Sequence, residues 1–590
     1  MALTTALAGG EEKKLPPPPD VSEELARARK AASDANHFGI DARQKAADGN
    51  AKDSIDLLEK QDNANDAAEA AFRAAVAKDA RNPRALSEFG RFWFTRRHYI
   101  QARMYAERAL AAFEKKPAQE KPPASGAPEK PEYDELSSFT PAEIAEFQCD
   151  QLRLLGSLLE RAGENEYAIN CYYKGLNLAP TDAKMRICLA IALCANGRPL
   201  ETTTILKNWS AESAAPAEDV PSDPALRALG VYTLAVAQEE TGYYEQALQT
   251  YTIARKLAVK AGEAESAGVF DNANLAIERL QDFFDDIKDR DALHAKENQT
   301  RVQNKLEPIA GEREQISKAL YRFDQGMSFK ERALKDPTFV TALARARSEW
   351  GGPDERDALI NHPEWDTFHA SMKWFEEALK AYPRLHQAAY ELALCNIVTG
   401  HYAPARQFLD ESASASPYNR ATLNEQANVL MELGQWDEAV GVFRKILALD
   451  PDSGFANFGL ARAYLALQRD DSELQSALDA VERAEQLAYR DPRMLHRQTI
   501  VKKDGTEVLG IARMSGDKYT VMIAPGNVQD IPKAECQEVI EHLSLKEEIE
   551  AMIARFAQGE RPAKPKRIKG QKKPERAGRN PWDGTILPKY

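Results

Sequence analysis

Between Tyr382 and Pro492, small, apolar and helix-stopping residues return every 34 positions. Pro383, Pro417 and Pro451 keep this spacing, as do Gly400 and Gly434, Ala405 and Ala439, the aromatic pair Tyr402 and Trp436, and the row Ala393, Ala427 and Ala461. Within each unit, two runs with helical spacing are divided by a glycine and closed by a proline. That arrangement predicts a helix–turn–helix hairpin repeated as a stack. In the unit His386–Asn419, Ala393 lets the two helices approach. Gly400 ends the first helix in the left-handed conformation that a Cβ disfavours. Ala405 and Leu409 share one face of the second helix, and Pro417 stops it. The next unit repeats this with Leu430, Gly434, Ala439, Phe443 and Ile446, and the third with Tyr464, Ala477, Val481 and Ala484.

Earlier in the chain the pattern is looser. Helical spacing starts near Val21 and runs with breaks to Ala80. Phe89, Gly90, Trp93, Tyr99, Ala102 and Ala106 then fit one full unit over Pro83–Lys116. Lys115–Tyr133, rich in Lys, Pro, Ala and Glu, reads as a flexible insert. Thr140-Pro141-Ala142-Glu143 supplies an N-cap, a first-turn proline and a capping-box glutamate, so a helix starts there. Gly163 and Gly197 again lie 34 apart, while the next glycine of this class, Gly242, comes 45 later; the loop 210–224 takes up the excess. Glu263–Leu306 is helical without the glycines, and further helices fall in Pro308–Pro337 and Thr338–Trp350. The boundary between two blocks of hairpins is placed within Gly262–His362.

After Pro492 the period changes from helical to alternating. Gln498–Lys503, Thr506–Arg513, Lys518–Ala524 and Val528–Ile531 predict strands, with Asp504-Gly505 as a hairpin turn. Ser544–Phe556 predicts an amphipathic helix, with Ile549, Met552, Ile553 and Phe556 on one face.

The recurring residues resemble the tetratricopeptide repeat family, whose unit carries a large residue, Leu, Gly or Ala, Tyr, Ala, an aromatic, Ala and Pro at set positions. The resemblance implies a mainly α fold: a solenoid in two blocks, followed by a small antiparallel β module, a helix and a disordered basic tail. It divides the chain into 1–20 (disordered or leader remnant), 21–290 (first solenoid block), 291–370 (irregular helical connector), 371–492 (second block), 495–557 (β module plus helix) and 558–590 (tail). It also implies that ligands touch the second, fifth, ninth and twelfth positions of each first helix. In this chain those are Gln387, Tyr390, Leu394 and Ile397; Asn424, Asn428 and Met431; and Phe455, Phe458, Arg462 and Leu465. Asn424 and Asn428, one turn apart, are suited to hold an extended peptide's backbone, and Phe455 and Phe458 to receive an apolar side chain. That these residues face solvent or a capping helix stays open at this point. The Lys/Asn clamp with which some members grip a terminal carboxylate is not reproduced. Asp504-Gly505, Val508-Leu509-Gly510, Tyr519-Thr520-Val521 and Ile531-Pro532-Lys533 are similar to a small β module of secreted planctomycete and verrucomicrobial proteins, which implies an accessory role beside an exported redox or hydrolytic complex. The haem-attachment motif of its usual neighbours is missing.

Composition narrows the function. A net charge of −13 over 590 residues argues against the whole body coating nucleic acid. The exception is the tail, where Lys564, Lys566, Arg567, Lys569, Lys572 and Lys573 are candidate contacts for RNA, another polyanion or an acidic surface. No apolar run approaches the ~20 residues that span a bilayer. Met1–Ala8 ends like a secretory leader without the basic and long apolar parts, so both export and a cytoplasmic location stay open. Of six cysteines, Cys171 and Cys188 on consecutive helices are the candidate pair. No phosphate-binding loop, dinucleotide fingerprint, nucleophile elbow or H-E-x-x-H motif occurs. His362, Glu364 and His369 lie close together without a third ligand of metal-site spacing. The expectation is a non-enzymatic scaffold with no cofactor, no metal and no catalytic residue, binding a protein partner in its groove.

Overall fold

The computed structural model describes residues 19–112, 140–211, 220–347, 353–524 and 527–558. The segment Met1–Ala8, the insert over 115–133 and the basic tail with Lys564, Lys566, Arg567, Lys569, Lys572 and Lys573 lie outside the described residues.

The chain opens with a long hairpin, α1 (Ser22–Ala47) and α2 (Ala51–Lys78). The first block continues as α3 (Pro83–Thr95) with α4 (Tyr99–Ala112), α5 (Pro141–Arg161) with α6 (Asn165–Leu178), α7 (Ala183–Ala195) with α8 (Pro199–Leu206), and α9 (Pro224–Glu240) with α10 (Tyr244–Ala261). Several of these starts carry a side-chain cap. Thr140 and Glu143 form the expected capping box, and Asn82, Asp182 and Asp223 accept from backbone N–H groups of the following turn. Next come α11 (Glu263–Gln303), kinked at Ser266, then α12 (Glu312–Ala333), α13 (Pro337–Arg347), α14 (Pro353–Ile360) and α15 (Trp365–Ala381). α12 and α15 pair as a hairpin around α13 and α14, joined by Phe323 and Phe375 with ring centroids 5.5 Å apart.

The second block is α16 (His386–Val398) with α17 (Tyr402–Ala415), α18 (Arg420–Glu432) with α19 (Trp436–Leu449), and α20 (Gly454–Leu467) with α21 (Asp471–Gln486). Gly400 and Gly434 sit at φ +78° and +70°, the left-handed turn their spacing requires. In both blocks the first helices of successive hairpins approach one another more closely than the second helices do, so the stack bends toward its first helices.

Five strands follow: β1 (Arg497–Lys502), β2 (Glu507–Ser515), β3 (Lys518–Ala524), β4 (Asn527–Pro532) and β5 (Cys536–His542). They form an antiparallel sheet in the order β4-β3-β2-β1-β5, with Ile500, Val508, Val521 and Ile531 as its core. β5 was not among the expected strands. Its acids, Glu538 and Glu541, are both exposed although they stand on opposite faces, and they hide the alternation. α22 (Leu545–Ala557) does not pack on the sheet core. Leu545, Ile549 and Ile553 join the core of the second block, where α22 covers α21. The sheet is thus inserted in the chain between the last hairpin and the helix that caps it, and His496 ties the two, bridging Glu541 at 2.8 Å and Glu547 at 3.1 Å. Cys171 and Cys188 do not pair; all six cysteines are free.

Candidate functional site

The inner surface of the second block is made by α16, α18 and α20, which stand side by side. The expected groove residues fall along them with unequal exposure. In α16, Gln387 is buried, and Tyr390, Leu394 and Ile397 are half-buried. In α18, Asn428 is exposed and Asn424 half-buried, its Oδ1 sealed and without a hydrogen-bond partner, while Met431 is only 5% exposed. In α20, Phe455 is half-buried against Phe443, ring centroids 5.8 Å apart, and Leu465 is half-buried. Phe458 is 2% exposed and lies beneath the Arg462 guanidinium, 5.7 Å from the ring centre. Met431 and Phe458 are therefore wall residues, because the core and the chain itself already cover them. The apolar neighbour of Phe458 is Tyr489, with ring centroids 5.1 Å apart.

The first block lies against Tyr489 in turn and against α16 directly. Its α5–α6, α7–α8 and α9–α10 turns are built on left-handed glycines, which leave a flat edge with no side chain. A Cβ on Gly163 would lie 2.7 Å from the Tyr489 ring, one on Gly197 2.8 Å from the Tyr390 hydroxyl, and one on Gly242 2.5 Å from Leu320 and 3.5 Å from Leu385. From the other side, a Cβ on Gly454 would meet the Arg161 carbonyl oxygen at 2.6 Å. The two blocks thus touch backbone to helix along a seam. Polar groups close it. Gln387 donates to the Glu239 carbonyl at 3.2 Å, and Asn419 donates to the Glu240 carboxylate. Asp452 accepts from Tyr99 at 3.3 Å and from Arg483 at 2.7 Å, and Arg161 lies 3.9 Å from it. Leu487 and Ala488 share a core with Leu154, Leu158 and Trp93.

The seam carries the strongest electrostatic perturbations of the groove. Burial, with Glu239 adding to it, pushes the Glu240 carboxyl up to about 7, against the pull of Asn419 and Arg279. His386 lies 3.8 Å from it, and burial pushes the imidazole down to about 4. At intermediate pH the pair meets as two neutral groups, which avoids the desolvation cost of two buried charges. Burial also pushes Glu160 up to about 7, with Tyr172, Arg420 and Arg161 opposing.

Sequence reasoning found the three groove helices and missed the seam. The signals present were polar ones: Glu240 and His386 stand where the helices meet other helices, and neither fits an apolar register. His362 and His369 do not converge. His362 Nε2 lies 3.0 Å from Thr338 Oγ1, and the His369 ring stacks near Trp365. Among the described residues no group of His, Cys, Asp and Glu is placed to hold a metal, and no helix is long and apolar enough to cross a membrane.

The tetratricopeptide repeat family model matches residues 373–420 and 424–488, so the second block carries tetratricopeptide repeats. No curated protein matches the chain. Among solved structures, a complex of Naa15/Naa10 bound to HypK aligns at 15% identity and TM-score 0.21, covering 78% of this chain and 68% of its own. The P58(IPK) TPR domain aligns at 12% identity and TM-score 0.19, covering 80% and 98%. The TPR2AB domain of yeast Sti1 in complex with pHSP90 aligns at 12% identity and TM-score 0.17, covering 57% and 98%.

Proposed function

We propose that this chain is a non-catalytic scaffold that holds a segment of a partner polypeptide along the open half of its second-block groove. The observation that carries the reading is the division of that surface. Tyr390 and Gln387, in the first half of α16, are covered by the first block, and Phe458, in the first half of α20, by Tyr489 and Arg462. Leu394 in α16, Asn428 in α18 and Arg462 in α20 lie farther along and keep part of their surface exposed. An amide, a guanidinium and an apolar side chain on three adjacent helices suit an extended peptide: the amide for its backbone, the cation for an acidic residue, the apolar group for a side chain.

The test is affinity purification with mass spectrometry from native cells, comparing wild type with the double variant Asn428→Ala, Arg462→Glu. Loss of a partner from the variant supports the groove. If the variant retains every partner at wild-type yield, the site is elsewhere. The basic segment offers a second route through Lys564, Lys566, Arg567, Lys569, Lys572 and Lys573. That route predicts RNA binding that falls steeply with salt and disappears on deletion of 561–579.

A further inference from the structure

The seam does more than brace two blocks, because it occupies the surface a ligand would use. Tyr390 and Gln387 stand at the fifth and second positions of α16, in the row that the repeat resemblance assigns to ligand contact and that continues into the open half proposed above. Gly197 lies against one of them, and the Glu239 carbonyl accepts from the other. The covering edge consists of backbone turns presented to an aromatic ring and an amide, which is the chemistry of an extended peptide laid on the same helices. We propose that the first block is a built-in competitor for the second block's groove, so that closure of the seam and full occupation of the groove by a partner peptide exclude each other. This rests on the groove reading above and adds its regulation.

Asn419 is the residue through which the contact can be altered without damaging either block. Its Oδ1 accepts from Thr422 N at 2.8 Å and caps α18, while its Nδ2 donates across the seam to Glu240. Asn419→Asp keeps the cap, since Asp and Asn serve equally there. It replaces the donor by a second carboxyl facing Glu240. Glu240→Gln in that background returns a donor from the opposite side and restores the hydrogen bond with its direction reversed.

The experiment uses the full chain with benzoylphenylalanine in place of Tyr390, irradiated at pH 8 and mapped by mass spectrometry. In the otherwise wild-type chain the expected product is an intrachain crosslink to the segment around Gly197. Asn419→Asp is expected to lower its yield about tenfold, and Asn419→Asp with Glu240→Gln to recover it. Dodecapeptides selected by phage display on the Asn419→Asp protein (with Tyr390 intact) are the binding probe. They should bind that protein about tenfold more tightly than wild type, and they should suppress the crosslink when added to the photoreactive chain. Absence of the intrachain crosslink overturns the closure. Equal peptide affinity for wild type and Asn419→Asp overturns the competition. Peptides that favour the opened protein yet ignore Asn428→Ala and Arg462→Glu leave the competition standing and refute the groove placement instead.

Discussion

Alanine at Gly459 sets a gain in helix formation against a loss in packing, and alanine at Gly441 supplies the gain alone. Both glycines lie inside second-block helices, Gly459 in α20 and Gly441 in α19. An interior Gly→Ala change favours the helix by about 1 kcal/mol. Nothing lies within 4 Å of a Cβ built on Gly441, so that variant should be stabilised by about this amount. A Cβ on Gly459 would sit 2.1 Å from Phe443 Cζ and 2.3 Å from its Cε1. Phe443 is 1% exposed and braced edge-on by Phe455, so its ring has nowhere to retreat. Overpacking of this kind costs about 1–3 kcal/mol. The propensity terms cancel between the two variants, and the difference between them, about 1–3 kcal/mol, isolates the packing. A long solenoid does not unfold in one step, so the measurement is hydrogen–deuterium exchange of α19 and α20 peptides rather than a global midpoint. A difference below about 0.5 kcal/mol, or stabilisation by Gly459→Ala equal to that by Gly441→Ala, would refute the close approach of α19 and α20.

Trp209 is fully buried, and a Cβ on Gly230 would touch its ring at 2.2 Å; Trp209→Ala should destabilise α7–α9 by about 3–5 kcal/mol, read as loss of exchange protection there. Arg103 is 6% exposed and donates to Glu107 and Glu164, tying α4 to the α5–α6 turn; Arg103→Ala should cost about 1–3 kcal/mol, visible as earlier proteolysis of the first block. The Glu240–His386 pair holds one proton when closed (Glu240 protonated to about 7, His386 neutral to about 4) and one when apart, between about 4.5 and 6.5. Its contribution to closure is therefore flat across that window. Glu240→Gln leaves only the depressed imidazole, so closure weakens as pH falls from about 6.5 toward 4; His386→Asn leaves only the raised carboxyl, so closure weakens as pH rises from about 4.5 through 7, and the Tyr390 crosslink yield should tilt in these opposite directions.

The hairpins of the second block were legible because each is specified locally. Gly400 and Gly434 need a left-handed backbone, Pro417 and Pro451 need a helix to stop, and Ala405 and Ala439 need a close neighbour, so the period can be read without knowing the fold. The same locality placed Leu394, Asn428 and Arg462 on one inner row. It could not place the first block on top of Tyr390 and Gln387. That contact depends on the small rotation at every hairpin from α3 to α16, including α11 and the pair α12 and α15, which carry none of the repeat's marker residues. β5 was lost for a different reason: Gln537, Glu538 and Glu541 give Cys536–His542 the composition of an acidic helix, although its pairing with β1 makes it an outer strand. Trp209 was lost because the chain around it lacks periodicity, and only Gly230 opposite makes room for the ring.

The turn glycines explain how one repeat architecture can serve both as scaffold and as cover. A C′ glycine is selected by the hairpin alone, since a Cβ there strains the left-handed turn. Its by-product is a stretch of bare backbone at the edge of each unit that carries one. In the second block Gly434 leaves that edge unused, with only Trp436 of its own unit near a Cβ. In the first block Gly163, Gly197 and Gly242 press the same feature against another part of the chain. Substitution at these three positions is therefore penalised twice, by turn strain and by steric overlap with Tyr489, Tyr390 or Leu320, whereas Gly434 meets only the strain. A seam made this way needs no dedicated interface sequence. It is recorded in the rings, the amide and the buried acid–histidine pair that receive it, and those few residues carry the specificity of the contact.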